Sequence, residues 1–206
     1  NQPDLKTRYG RRDFVLLSLL YDSGARVQEL IDLTPPNIEF NDTATVKLCG
    51  KGNKTRIVPL SKQQASNLKK YMYDEGLMKE DRHCVPIFCN FHGEKLSRVA
   101  VLNIVKKYTE MARKKSPDLI PENLGYHSFR HSKAMHLLEA DVNLVYIRDF
   151  LGHVSTTTTE IYARASEKKK QEALSRVNPG IIKEGKTTWQ KDKSLLGYLK
   201  DLRTKY

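Results

Sequence analysis

Five side chains of the sequence have the types and order that phosphoryl transfer by a tyrosine would need. They are Arg26, then His127 and Arg130 in His127-Ser-Phe-Arg130-His131, then His153 in Leu151-Gly-His153, and finally Tyr162. A phosphodiester under attack gathers charge on its non-bridging oxygens. Guanidinium groups suit that charge because they stay protonated and grip two oxygens at once. His127 lies three residues before Arg130, on the same face of a helix. It can donate to a phosphate or move the tyrosine proton. His153 follows a glycine, where backbone crowding is low, and can reach a phosphate oxygen. A phenol with a pKa of about 10 is a poor nucleophile unaided. Neighbouring arginines stabilise the phenolate and lower that value. A phosphotyrosyl intermediate conserves the energy of the broken bond, so rejoining needs no ATP.

The departing sugar hydroxyl needs a proton, and Cys49-Gly-Lys51-Gly-Asn-Lys54-Thr-Arg56 supplies lysines on a turn. Glu29, three residues after Arg26, is placed to orient it. Each of these residues taken alone is an ordinary surface, salt-bridge or hydrogen-bonding residue; their ordered set is not. No paired carboxylates mark a magnesium site and no glycine-rich loop marks a nucleotide, so no metal and no cofactor is expected.

The elements that must position them read as mostly helical. Arg12–Tyr21 (RDFVLLSLLY) is a buried helix, Gly24 interrupts, and Arg26–Leu33 is the next helix, ended by Pro35-Pro36. Asn37–Phe40, Thr45–Cys49 and Arg56–Leu60 read as a three-stranded antiparallel sheet with Lys51 at the tip of its second hairpin. Ser61-Lys-Gln-Gln64 is a capping box for a helix to about Glu75. Ser97 caps another helix to about Lys115. Helical spacing resumes at His127, Asn143 caps Leu144–Leu151, and Thr157-x-x-Glu160 is a capping box for the helix bearing Tyr162. The fold class is thus mainly α (α+β), with one small sheet.

The bulk properties agree with a nucleic-acid partner. The 206 residues carry a net charge of +12, and from Arg164 to Tyr206 there are 12 lysines and arginines against 5 acids. Such a balance favours phosphate-rich partners and binding that weakens steeply with salt. No run approaches the roughly 18 apolar residues of a membrane span, so no membrane partner is expected. Three cysteines cannot all pair and favour a reducing compartment. The absent initiator Met suggests a piece of a longer protein. After Val177 the composition shifts, and residues 178–206 read as a basic extension that either contacts DNA or docks on a neighbouring subunit.

Arg26, Gly50-Lys-Gly-Asn-Lys-Thr-Arg56, His127-x-x-Arg130-His131, Leu151-Gly-His153 and Tyr162 together closely resemble the catalytic domain of tyrosine recombinases, the phage-type integrases and related transposases. The order and spacing match over about 160 residues, from Arg12 to roughly Arg176. The resemblance implies a helical DNA breaking-rejoining domain over residues 1–177, without metal or nucleotide. It implies that Arg26 and Arg130 clamp the scissile phosphate and that Lys51 protonates the leaving 5′-hydroxyl. His127 would assist proton transfer, His153 would bind the phosphate, and Tyr162 would form a 3′-phosphotyrosine. Lys54 and Arg56 would touch the DNA backbone, and His131 would be structural. The expected partners are double-stranded DNA, a homo-tetramer on paired sites and accessory factors. The expected setting is the cytoplasm of a bacterium, at the nucleoid, with the protein encoded by a mobile element or phage. The family's usual N-terminal DNA-clasping domain is expected to be absent from this chain.

Two possible zinc sites and two other DNA-related readings are weaker. His127 and His131 have the i, i+4 spacing of a helical zinc site, but no glutamate follows the first histidine and Arg130 would oppose a cation. His83, Cys84, Cys89 and His92 could hold a zinc, yet Val85-Pro-Ile-Phe88 reads as a buried extended segment. A DNA-binding regulator without activity would not require Tyr162, His127 and Lys51 in register. A type IB topoisomerase uses a similar pocket, but the Gly-Lys-Gly hairpin and Leu-Gly-His favour recombination.

Overall fold

The apolar run from Phe14 to Leu20 can bury one face only as a helix, and the chain supplies its caps. In the computed structural model, which describes residues 2–122 and 124–152 (for Lys51 the backbone only), α1 spans Arg8–Asp22. The Thr7 hydroxyl accepts from the Gly10 amide, and the helix ends at Ser23. Gly10 is required here, because a Cβ would lie 1.9 Å from the Asp4 carbonyl oxygen. Gly24 then turns the chain in the left-handed region, at φ 56°.

The second helix is shorter than its sequence suggests. α2 covers only Val27–Ile31, and Arg26 is its extended N-cap residue rather than its first turn. The Pro35–Asn37 segment forms a 3-10 turn that leads into β1 (Ile38–Glu39). β2 (Thr45–Cys49) pairs antiparallel with β1 on one side and β3 (Thr55–Pro59) on the other. β1 is two residues long, not four, and β3 begins one residue early. The Lys51–Asn53 turn closes the second hairpin, with Gly52 and Asn53 both at positive φ.

α3 (Lys62–Asp74) is capped by the Ser61 hydroxyl, but only half of the expected capping box forms. Gln64 is buried and its side-chain amide donates to the Val15 carbonyl, while the Ser61 amide donates to Asp22. Tertiary partners therefore replace the local reciprocal bond. α4 (Arg98–Lys115) starts at Ser97 as its hydroxyl accepts from Ala100. α5 (Tyr126–Glu139) and α6 (Leu144–Leu151) follow one another across a short turn and pack together, with Asn143 capping α6.

One core joins α1, α2, the inner face of the sheet, α3 and α4. Leu16, Leu19, Leu20, Leu30, Val46, Leu48, Val58, Leu68 and Phe88 are all fully enclosed in it. A polar tie crosses it: Tyr108 donates to the buried Asp13 at 2.9 Å, fixing α4 on α1. Burial, then Asp13, push the Tyr108 phenol up to about 12. A second cluster, Ala134, Ile147 and Leu151, holds α5 to α6, and Phe150 packs against both clusters. The α5–α6 pair is anchored to the main core through Tyr126 and Phe129 of α5 and Phe150 of α6. His153, Tyr162, the Thr157 capping box and residues 178–206 lie outside the described residues.

Candidate active site

The C-terminal end of α6 is where the site assembles. A helix leaves its last carbonyls without partners, and three successive ones here are each met by an arginine from a different element. Arg56 Nε of β3 donates to the Phe150 carbonyl at 3.0 Å. Arg130 Nη2 of α5 donates to the Leu151 carbonyl at 2.7 Å. Arg26 Nη2, at the head of α2, donates to the Gly152 carbonyl at 3.3 Å. The partial negative charge at a helix C-terminus favours cations there, so one helix end draws three guanidinium groups together. Gly152 ends α6 at φ 66°, and the next residue in the chain is His153.

Arg130 is buried, which a guanidinium accepts only when its donors are paired. Its Nη1 donates to the Gly24 carbonyl at 2.6 Å, so it links α5 to the α1–α2 turn as well as to α6. Arg26 is the more open of the pair, with 40% of its side chain exposed. Its amide donates to Glu29 Oε2 at 2.8 Å and its Nη1 to Glu29 Oε1 at 3.0 Å. Glu29 therefore holds Arg26 at both backbone and side chain.

Glu29 itself is only 3% exposed. Burial raises its carboxyl pKa, but the Arg56 hydrogen bonds, the Arg26 amide, the Arg56 charge and the Arg26 side-chain hydrogen bond outweigh burial, so the net shift is downward. Arg56 Nη1 and Nη2 grip its two oxygens at 2.8 Å each. The sequence points Arg56 at the DNA backbone; the structure turns it inward, with 12% of its side chain exposed and Nε, Nη1 and Nη2 all engaged within the protein. The missed signal is strand parity. Alternate residues of a strand share a face, and Arg56 stands two residues before the buried Val58 on the inner face of β3. An arginine there needs an acid, and Glu29 is that acid.

The hairpin that carries Lys51 and Lys54 starts against the same pair. A Cβ on Gly50 would sit 3.1 Å from Glu29 Oε1 and 3.8 Å from Arg26 Nη1. Lys51 follows directly in the chain, and Lys54 is exposed beyond it. His127 is in the first turn of α5, one turn before Arg130. Partial burial, then the charges of His131, Arg130 and Arg26, lower its pKa below the ordinary histidine value. The imidazole is thereby held neutral and able to accept a proton at neutral pH. Among the described residues no group of three or more His, Cys, Asp or Glu gathers as a metal site would require, and no helix is long and apolar enough to cross a membrane. The structure thus brings Arg26, Glu29, Arg56, His127, Arg130 and the root of the Lys51 hairpin to one place; His153 and Tyr162 lie outside the described residues.

Comparison with known proteins agrees with this architecture. Residues 5–169 match the model of the phage integrase family. The chain is 39% identical over 154 residues to the tyrosine recombinase XerD of Chlorobaculum tepidum, covering 73% of this chain and 48% of that protein. It is 35% identical over 179 residues to XerD of Staphylococcus epidermidis, covering 86% and 58%. The chain thus spans about half the length of the curated relatives it matches. The XerH site-specific recombinase, solved bound to a palindromic difH substrate after cleavage, superimposes with a TM-score of 0.69 at 26% identity, over 84% of this chain and 47% of that one. With its helical fold, its small sheet and its match to the family model over residues 5–169, this chain belongs to the phage integrase family of tyrosine recombinases.

Proposed function

We propose that this chain is the catalytic part of a site-specific DNA recombinase that cuts and rejoins double-stranded DNA through a 3′-phosphotyrosine at Tyr162. The observation that carries this reading is the convergence of Arg26, Arg130 and His127 around the end of α6, at the residue that precedes His153. Arg26 and Arg130 take the non-bridging oxygens of the scissile phosphate, with His153 as a further donor. The Tyr162 oxygen attacks phosphorus, and the bond from phosphorus to the 5′-oxygen breaks. The phenolic proton passes to His127, and Lys51 delivers a proton to the departing 5′-oxygen. Attack by another 5′-hydroxyl reverses these steps on a new strand. The cationic groups supply the charge stabilisation, so the cycle uses no metal and no nucleotide.

The active assembly is a homo-tetramer on paired sites, helped by accessory factors. Its work is integration, excision or transposition of a mobile element at the nucleoid of a bacterial cell. Residues 1–177 supply the catalytic domain and residues 178–206 a basic extension that meets DNA or a neighbouring subunit. The XerD and XerH relatives and the order of the motifs support the site-specific recombinase reading.

The test is covalent capture. Full-length protein is incubated in EDTA with a nicked suicide duplex that carries the element's end sequence. A protein–DNA band that survives denaturation and disappears in Tyr162→Phe is expected. Specific binding without any covalent band would replace the recombinase with a binding-only regulator. Relaxation of a circle bearing one site, without exchange between two, would replace it with a topoisomerase.

A further inference from the structure

Arg56 is the one arginine of the cluster to which the phosphoryl-transfer scheme gives no task. We propose that it is a positioning residue, which sets Arg26 and the turn before His153 at a fixed separation and offsets the charge of Glu29; this rests on the recombinase reading above. The geometry is a three-way strut. Nη1 and Nη2 hold the Glu29 carboxylate, and Nε holds the Phe150 carbonyl. Gly152 closes over the guanidinium: a Cβ there would lie 2.9 Å from Nη1 and 3.0 Å from Cδ. β3, the head of α2 and the end of α6 are thus measured against one planar group.

Electrostatics makes the same demand. Glu29 touches Arg26 at 3.0 Å, and a single carboxylate would cancel the charge that a phosphate must meet. A second guanidinium on that carboxylate leaves the trio with a net positive charge and leaves Arg26 an effective cation. A lysine could supply the charge but not the fork, since only a guanidinium offers two parallel donors to a carboxylate and a third to a carbonyl. The inward face and the engaged donors argue against a contact with the DNA backbone.

The experiment compares Arg56→Met, Arg56→Lys, Glu29→Gln and the double variant Arg56→Met/Glu29→Gln in the full-length protein. Three quantities are read: thermal midpoint, DNA affinity against salt, and the rate of covalent capture at a temperature where every variant is folded. A strut predicts that Arg56→Met keeps the wild-type salt slope while its capture rate falls by about 100-fold, the scale of a displacement of about 1 Å at a reacting group. Arg56→Lys should recover part of the lost thermal midpoint yet still capture at least about tenfold more slowly than wild type. The double variant should melt higher and cleave faster than Arg56→Met, because the stranded carboxylate is gone.

Loss of about 0.9 from the salt slope in Arg56→Met would make Arg56 a phosphate contact and overturn the proposal. So would wild-type capture by Arg56→Lys, or simple additivity of the two single substitutions in thermal midpoint. If the wild-type protein forms no covalent complex, the recombinase reading falls on its own. The salt slope and the coupling of thermal midpoints then still decide whether Arg56 is a strut.

Discussion

His127 is the side chain whose protonation the site controls most directly. Burial and then the charges of His131, Arg130 and Arg26 depress its pKa, so the neutral form persists to lower pH than for a free histidine. Cleavage that uses His127 as the acceptor of the tyrosine proton should hold its rate through neutral pH and fall only as pH drops through that lowered value. An NMR titration should find His127 below about 6.5, and His131→Asn should move it upward; no movement would remove His131 as a cause. Lys51→Ala should slow cleavage of an ordinary phosphodiester by about 100-fold. The loss should be far smaller with a 5′-thiol leaving group, which departs without a proton, and equal losses on both would take Lys51 out of the acid role. Glu29 adds a pH dependence of stability with the opposite cause. Its carboxyl is depressed in the folded chain, so its contribution is complete above the unfolded value of about 4.3 and is lost as pH falls through the lower native one. The grouping of Arg26, Glu29, His127 and Arg130 was legible in the sequence because few side chains suit a phosphate. The inward placement of Arg56 was not, since a basic residue beside two lysines on a hairpin reads as a DNA-backbone contact until its strand parity is followed.

At the scale of elements, what was legible follows from local chemistry. Ser61, Ser97 and Asn143 each cap a helix through their own side chain as expected, whereas α1 starts four residues before the expected Arg12, at the unread Thr7 cap, and the three-stranded sheet keeps its predicted order because turn residues separate β-branched runs. Details differed where another bond won. Gln64 reaches Val15 across the core rather than Ser61, and Arg26 stays outside α2 as its N-cap residue because the Glu29 side chain, three residues on, accepts from its amide. The three-carbonyl terminus of α6 was illegible, since it depends on arginines brought from β3, α5 and the head of α2. Asn143 sits at the opposite end of α6 from those carbonyls. Asn143→Ala should therefore cost about 1 kcal/mol and lower the thermal midpoint by about 2–4 °C, with covalent capture unchanged when the protein is folded. A large loss of capture in a folded Asn143→Ala protein would mean that α6 moves as a unit with the site.

For the whole molecule, the charge of +12 favours phosphate-rich partners, and the proposed DNA contact should depend on salt. If about 6–10 phosphates are contacted, affinity should fall by roughly 10³ to 10⁵ between 50 and 200 mM salt. Lys54→Gln, on the exposed side of the hairpin, should reduce the slope by about one contact; an unchanged slope would take Lys54 off the phosphates. The comb of Phe150, Leu151 and Gly152 carbonyls also constrains how chains of this kind can change in length. Each carbonyl answers to its own arginine, so deleting or inserting one residue within 150–152 would shift every partner by one place at once, with no single substitution able to restore the match. Length variation should accumulate in connections such as the one between α3 and α4, which runs from Glu75 to Ser97. The last turn of α6 is then a fixed ruler for the described part of the chain, which sets the spacing of three elements by counting residues.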